Sequence, residues 1–335
     1  MARRLGRYGR QRSAWLLAAA AALVAACGNA GTGEAEPADQ PEQRLEVVTT
    51  VAPITDIVAR VAGPDVEVVG IVPAGVDSHT FEPTPAVARE LADADLFIAN
   101  GLFLEEPSLQ LAEATLPDGV PILTLAERVV DPEEWVFDQA FPEEGGVPNP
   151  HLWTYPPFAA EYAALVAEAL ADVDPAGAAG YRERAADFEA QMDQLDEAIR
   201  AAVATIPEGN RILVTYHDSF PYFAPSYGFE VRFAIQPSDF SEPSVAEIRD
   251  LIDQVRDAGV PAIFGSEVFP SDVLAQIAAE TGAAYVADLR DDALPGQPGD
   301  PEHSYLGMMV FNVRTIVDAL GGDSTALDAI DPAVS

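Results

Sequence analysis

The chain has no lysine. All 18 of its basic residues are arginine, and five of these fall within the first twelve positions. The rest of the chain sets 13 Arg against 55 acidic residues. Nucleic-acid binding needs a basic face that displaces counterions, so no nucleic-acid partner is expected. Such acidity suits a solvated surface in an extracellular or salty setting, and its field draws divalent cations weakly. Cysteine is nearly absent as well: Cys27 stands alone, which rules out an internal disulfide. A chain of 335 residues with 49% hydrophobic content can dispense with one, because its cores are large enough. That content also excludes bulk disorder, and the length accommodates two domains. After residue 26 there is no apolar run of 18 or more residues, so nothing further along is expected to span a membrane. Histidine is scarce too, at four residues.

What the sequence does contain begins with a leader. The Arg-rich start is followed by AWLLAAAAALVAA at 14–26, an apolar run of 13 residues. A spanning helix needs about 20, so the run matches the core of a secretory signal. Ala25 and Ala26 precede the lone cysteine, and the string VAAC resembles the bacterial lipobox, in which the cysteine is lipidated and becomes the mature N-terminus. Residues 1–26 are therefore read as a lipoprotein signal peptide and Cys27 as the lipidation site. A diacylglyceryl group supplies two chains, and two chains anchor stably where one does not. Residues 27–44 are small, polar and proline-containing, the composition of a flexible tether.

From residue 45 the pattern alternates between strand and helix. Strand-like runs fall at 45–51, 66–72, 95–101 and 122–125, with helices at 53–62 and 85–93 between them. Residues 131–149 are acidic and without periodicity, a surface loop. Pro156-Pro157 opens a helix, proline being favoured in the first turn. The longest helical pattern follows: Tyr181, Ala185, Phe188, Met192, Leu195, Ile199, Ala202 and Ile206 recur in steps of three and four and form one apolar stripe. Strand-like runs resume at 211–217, 229–235, 261–267 and 283–288, with helices at 218–226, 243–258, 270–281 and 301–320, the last with Asp300 as N-cap and Pro301 in its first turn. This order predicts an α/β fold of two lobes, each with a mainly parallel sheet flanked by helices, at 45–174 and 207–330 and joined by one bridging helix at 175–206. No internal sequence repeat stands out.

Three of the four histidines lie in short segments punctuated by proline or glycine: GVDSHTFEPTP around His79, NPHLWTYPP around His151 and VTYHDSF around His217. Asp292 lies in DLRDDALPG. Each sits in a loop or at a strand end, where open α/β sheets place ligand-binding groups. Three imidazoles and a carboxylate suffice for a tetrahedral transition-metal site. Their spacings of 72, 66 and 75 residues are far too long for a zinc finger and suit a site assembled between two lobes. Asp291 competes with Asp292 for the fourth position, and Asp288 is a more distant candidate. Glu267, at the end of the strand 261–267, is read as an acceptor for an imidazole N–H or as an alternative ligand. His303 has no motif around it and is read as a surface residue.

These strings resemble those of the bacterial metal-binding lipoproteins that feed zinc and manganese ABC importers, the cluster A-I or family 9 solute-binding proteins. The family pattern G-x-D-P-H-x-Y-E-P-T-P reads here as GVDSHTFEPTP, D-P-H-x-W as NPHLW, and T-Y-H-D with its aromatic-rich turn as VTYHDSFPYFAPSYG. The family's segment after the last strand reads DDALPG, a register that implies Asp292 as the fourth ligand. The resemblance covers about residues 45–321. The chain departs from the pattern at Ser78 and Asn149, which replace proline and aspartate, and at Tyr155, where a second aspartate often occurs.

The resemblance implies capture of a divalent metal between the lobes by His79, His151, His217 and Asp292, then delivery to a membrane permease with its cytoplasmic ATPase. It also implies a lipid-anchored monomer on the outer face of the bacterial cytoplasmic membrane. Three neutral imidazoles and one carboxylate suit Zn²⁺, whereas Mn²⁺ favours more oxygen donors and is the alternative. Within the family, His in place of Glu at the third position tilts the expectation to zinc. No HExxH, GxSxG or P-loop pattern points to an enzyme. The competing readings are a zinc-dependent hydrolase using Glu267 as base, a surface adhesin stabilised by metal, and a siderophore- or cobalamin-binding protein of similar shape.

Overall fold

The computed structural model describes residues 44–138, 141–237, 243–269 and 272–333. The leader, Cys27 and the tether lie outside the described residues, as does the Asp288 side chain. Among the described residues no helix is long and apolar enough to cross a membrane.

The first lobe contains strands β1 (Leu45–Thr49), β2 (Val66–Gly70), β3 (Leu96–Ala99) and β4 (Ile122–Thr124), interleaved with helices α1 (Ala52–Ala62), α2 (Val87–Asp93), α3 (Glu106–Thr115) and the short α4 (Ala126–Val129). Helix α5 (Pro156–Val173) and the long α6 (Ala178–Ala204) follow. The second lobe contains β5 (Ile212–Thr215), α7 (Phe223–Ser226), β6 (Glu230–Ala234), α8 (Val245–Ala258), β7 (Ala262–Ser266), α9 (Asp272–Thr281), β8 (Ala284–Leu289) and α10 (Tyr305–Ala319). Every strand pairing is parallel, and the two sheets have the same plan, β2-β1-β3-β4 and β6-β5-β7-β8. The sequence carries no visible repeat, yet the topology repeats. A parallel sheet covered on both faces asks only for apolar runs, which many sequences supply. Strand β3, LFIA, and strand β7, AIFGS, are buried throughout.

Local signals explain the helix boundaries. Helix α1 has proline in its first turn, buries Ile54, Ile57, Val58 and Val61 on one stripe, and stops at Gly63, whose φ is 76°. In α8 Ser244 and Glu247 form a reciprocal capping box, and Gly259 closes the helix at φ 62°. Helix α6 runs 27 residues, about 40 Å at 1.5 Å per residue. Its buried stripe is Tyr181, Ala185, Phe188, Met192, Leu195, Ile199, Ala202 and Val203. It packs on α5, α1 and α10, and one core cluster runs continuously from the first lobe through α6 into the second. The outer faces of the two sheets carry separate clusters, one around Val48, Leu91 and Phe97, the other around Val214, Val255 and Ile263.

Two expectations are corrected and one helix is added. Residues 218–222 are not helical, and only Phe223–Ser226 form a turn of helix, because Pro221 forces its predecessor towards extended backbone. Helix α10 is capped by Ser304, whose hydroxyl accepts from Gly307 N at 2.9 Å. Asp300 instead closes the preceding turn by accepting from Gln297 N at 2.8 Å. Helix α3 carries too weak an apolar stripe to be read from sequence, since only Ser108 and Ala112 on it are fully buried.

Candidate metal centre

The three histidines expected from sequence come together at the carboxyl edges of the two sheets. His217 follows β5 by two residues. His79 lies in the loop after β2, and His151 begins the short turn of 3-10 helix Leu152–Thr154. His151 and His217 are buried, and His79 is half-buried. The Nε2 atoms of His217 and His151 stand 3.1 Å apart, those of His79 and His151 3.3 Å. The three candidate donor atoms all fall within 4.8 Å of one another. Zinc–nitrogen bonds of about 2.0–2.1 Å at the tetrahedral angle put neighbouring donors about 3.3 Å apart. The observed separations match the edges of such a tetrahedron.

The outer nitrogens explain why the inner ones converge. His151 Nδ1 stands 2.6 Å from Asn149 Oδ1, and His217 Nδ1 stands 2.8 Å from Gln236 Oε1. The Asn149 amide has its orientation set independently: its Nδ2 donates to Asp138 Oδ2 at 3.0 Å and to the Asp218 carbonyl at 2.7 Å. Its Oδ1 is therefore the acceptor, so His151 Nδ1 carries the proton and Nε2 presents a lone pair. His217 Nδ1 faces the Gln236 amide oxygen in a similar way. Two lone pairs 3.1 Å apart repel unless a proton or a cation lies between them. Burial lowers the basicity of all three imidazoles, and the neighbouring imidazoles lower those of His79 and His151 further. The cluster is thus held neutral, the form that ligates a metal.

A second layer fixes the loop that carries His151. The Pro150 carbonyl accepts from Asn100 Nδ2 at 3.0 Å, and Tyr162 OH donates to Asn100 Oδ1 at 2.7 Å. Asn100 enters a left-handed stretch, Gly101 at φ 85°, Leu102 at 48° and Phe103 at 64°. Such backbone persists only when its surroundings over-determine it. Here the Glu105 carboxylate accepts from Asn100 N, Gly101 N and Thr50 Oγ1, while Glu127 accepts from Leu102 N at 2.6 Å.

Both aspartates named from the sequence are buried. Asp292 accepts from Ser78 with both oxygens, Oδ1 from the hydroxyl and Oδ2 from the backbone N–H, each at 2.9 Å. Asp291 lies close to two of the imidazoles. Its Oδ2 lies 3.6 Å from His217 Nε2 and 3.9 Å from His151 Nε2, and is buried with no hydrogen-bond partner. Burial, with Glu267 and Asp292 close by, raises the pKa of Asp291 well above the carboxylate range. Asp292 is pushed up to about 8 by burial and Glu267, against the two Ser78 bonds. Glu267 is not seen accepting from an imidazole. Its Oε1 takes the backbone N–H groups of Asp291, Asp292 and Ala293 at 2.9–3.0 Å, so it shapes the loop that presents the aspartates. His303 lies apart, with Nδ1 3.0 Å from the Pro295 carbonyl.

Sequence reasoning missed Gln236 and Phe141. The Phe141 ring lies 5.5 Å from that of His79 and 6.1 Å from that of His151, and packs on Ala234 of the opposite lobe. Neither sits in a distinctive local pattern.

Two parallel-sheet lobes with an imidazole cluster at their facing carboxyl edges define a two-lobed α/β binding protein. Residues 47–319 match the family described as zinc-uptake complex component A, periplasmic, and the chain belongs to that family. It is 29% identical over 301 residues to the manganese-binding lipoprotein MntA of Halalkalibacterium halodurans, covering 90% of this chain and 95% of that protein. It is 32% identical over 290 residues to the zinc-binding protein TroA of Treponema pallidum, covering 82% and 88% of the two chains. The solved structure of that periplasmic zinc-binding protein superposes with a TM-score of 0.75 at 28% identity, over 83% of this chain and 99% of the other.

Proposed function

We propose that this protein captures a divalent transition metal between its lobes and delivers it to the membrane permease of an ABC importer. The observation that carries the reading is the convergence of the histidine Nε2 atoms at the edge lengths of a metal tetrahedron, two of them aimed by amide acceptors behind them. The metal is cargo. His79, His151 and His217 supply three nitrogens, and the buried Asp291–Asp292 pair, of which the sequence pattern implies Asp292, supplies the oxygen. Three nitrogens and one oxygen suit Zn²⁺ best, with Mn²⁺ as the alternative, in keeping with relatives named for each metal.

The chemistry is ligation, not turnover. A catalytic zinc keeps a coordination position open for water, and four protein donors fill a tetrahedron. Glu267, the base a hydrolase would need, is engaged by three backbone N–H groups. Cys27 carries the lipid that holds the protein as a monomer at the outer face of the cytoplasmic membrane. Helix α6 acts as a stiff spine between the lobes at 45–174 and 207–330. Metal favours the closed form by its differential affinity for it.

Elemental analysis of the purified mature protein, with zinc and manganese titrations of the wild type, His79→Ala and His217→Ala, tests the site. Each variant is expected to lose affinity for both metals. Unchanged zinc affinity in both variants would overturn the assignment.

A further inference from the structure

Glu105 is a buried carboxylate outside the histidine cluster. Its Oε1 accepts from Thr50 Oγ1 at 2.8 Å and from Asn100 N at 2.7 Å, and its Oε2 accepts from Gly101 N at 3.1 Å. None of these donors carries a positive charge. Burial pushes its pKa up to about 7, against the pull of those bonds. A buried carboxylate of this kind is costly to keep. The turn at 100–103 gives the reason, because its donors need acceptors at two oxygens. A glutamine has only one, and its NH₂ would be set against a backbone N–H.

What the turn delivers is the Asn100 side chain. Its Oδ1 accepts from Tyr162 OH at 2.7 Å, and its Nδ2 donates to the Pro150 carbonyl at 3.0 Å and to the Gly101 carbonyl at 3.1 Å. The Pro150–His151 peptide is thereby held on both sides, its carbonyl by Asn100 and its N–H by Asn149 Oδ1 at 3.1 Å. The proline ring fixes φ just before that peptide. Little freedom remains in the backbone from which His151 reaches the cluster.

We propose that Glu105, acting through Asn100, is a positioning residue that sets the metal preference of the site: it locks His151 at the short donor separations that suit zinc and so disfavours manganese. This rests on the metal-capture reading above.

His151 Nε2 is common to both short separations, 3.1 Å to His217 and 3.3 Å to His79, so the placement of one ring sets two edges of the site. Both are close to the edge of about 3.3 Å for four-coordinate zinc. Mn²⁺ favours more oxygen donors than three imidazoles and a carboxylate provide, so it needs room for added water. A locked His151 denies that room, and a freed one grants it. Glu105 and Asn100 act on the backbone, so losing their bonds leaves every donor atom of the site in the chain.

The test compares the wild type with Glu105→Gln, Asn100→Ala and the double variant. Arg184→Ala is the control for lost stability alone, because it unties α6 from α1. Zinc and manganese affinities are measured by chelator competition, coordination by the visible spectrum of the Co²⁺-loaded protein, and stability by denaturant unfolding. Glu105→Gln and Asn100→Ala should each weaken zinc binding about tenfold or more, the scale seen when support behind a ligand is removed. Each should weaken manganese binding less than about threefold, so the zinc-to-manganese ratio falls, and each should shift the Co²⁺ bands. The double variant should be no worse than Asn100→Ala, since the two residues act in one line. If Glu105→Gln does not fold, Thr50→Val, which takes one donor from Glu105, stands in for it and should move the ratio in the same direction. Stability lost as in Arg184→Ala, with ratio and bands unchanged, would overturn the proposal, as would equal losses for the two metals or additive losses in the double variant. Each of those results leaves metal capture intact. Failure of the wild type to bind either metal would instead overturn the metal-capture reading.

Discussion

His151 Nδ1 meets Asn149 Oδ1 at 2.6 Å, and that bond decides which nitrogen of the imidazole faces the cleft. The amide spends its Nδ2 on Asp138 and on the Asp218 carbonyl, so it cannot be reversed without setting donor against donor. Asn149→Ala should therefore lower zinc affinity about 10- to 100-fold, the usual cost of removing the partner behind a ligating histidine. Asn149→Asp should destabilise the fold by about 1–3 kcal/mol, because it turns the Nδ2 donor into an acceptor facing Asp138 and a carbonyl. Chelator competition and denaturant unfolding check the two outcomes.

The metal-free protein should lose stability as pH rises from about 7 to 8. Burial lowers the histidines in the fold, so they oppose this slope around their unfolded value of about 6.5 and have largely lost their protons in both states above about 7. In that window the raised carboxyls dominate. Asp292, held to about 8, and Asp291, raised well above the carboxylate range, keep protons in the fold that the unfolded chain has already released. The folded state then binds more protons, so stability falls with rising pH. Bound zinc supplies the positive charge the carboxylates need, so the zinc-loaded protein should show a much flatter profile. Thermal melts of both forms from about pH 7 to 8 measure this. A metal-free melting temperature that rises through that window would contradict it.

Phe141→Ala should speed metal loss to excess chelator. Its ring covers His79 and His151 and packs on Ala234 of the other lobe. The variant leaves every donor in place, so coordination by Co²⁺ spectroscopy should be unchanged while stopped-flow release quickens. Loss of the buried ring should also cost about 3 kcal/mol of stability.

Arg184→Ala should destabilise the protein by about 1–3 kcal/mol. The guanidinium, carried on α6, donates to the carbonyls of Val61 and Ala62 at 2.7 Å each, the last carbonyls of α1. It therefore ties the long helix to the first lobe and satisfies groups that α1 cannot pair itself. Denaturant unfolding measures the loss, and zinc affinity in the folded variant should be little changed, since Arg184 lies away from the histidines.

Much of this architecture was legible in the sequence because it rests on local patterns. The stripe from Tyr181 to Ala202 announced α6, and the apolar runs announced the eight strands to within a few residues. The three histidines were legible because each is set in a distinctive short string. The parts that were not legible depend on distant neighbours. Helix α3 follows a turn held by Glu105 and Glu127 and has no strong apolar stripe of its own. Gln236 and Phe141 act on the site from other loops, with nothing beside them in sequence to mark the role.

The sequence by itself determined the α/β order, the long helix and the imidazoles, because periodicity and residue type act over a few positions. Only the tertiary structure decided how the two adjacent aspartates beside them are held. Glu267 holds the backbone of Asp291, Asp292 and Ala293 from 24 to 26 residues away, and Ser78 holds the Asp292 carboxylate from 214 residues away. Neighbouring side chains on one loop take different partners, through hydrogen bonds that exist only once the two lobes are assembled.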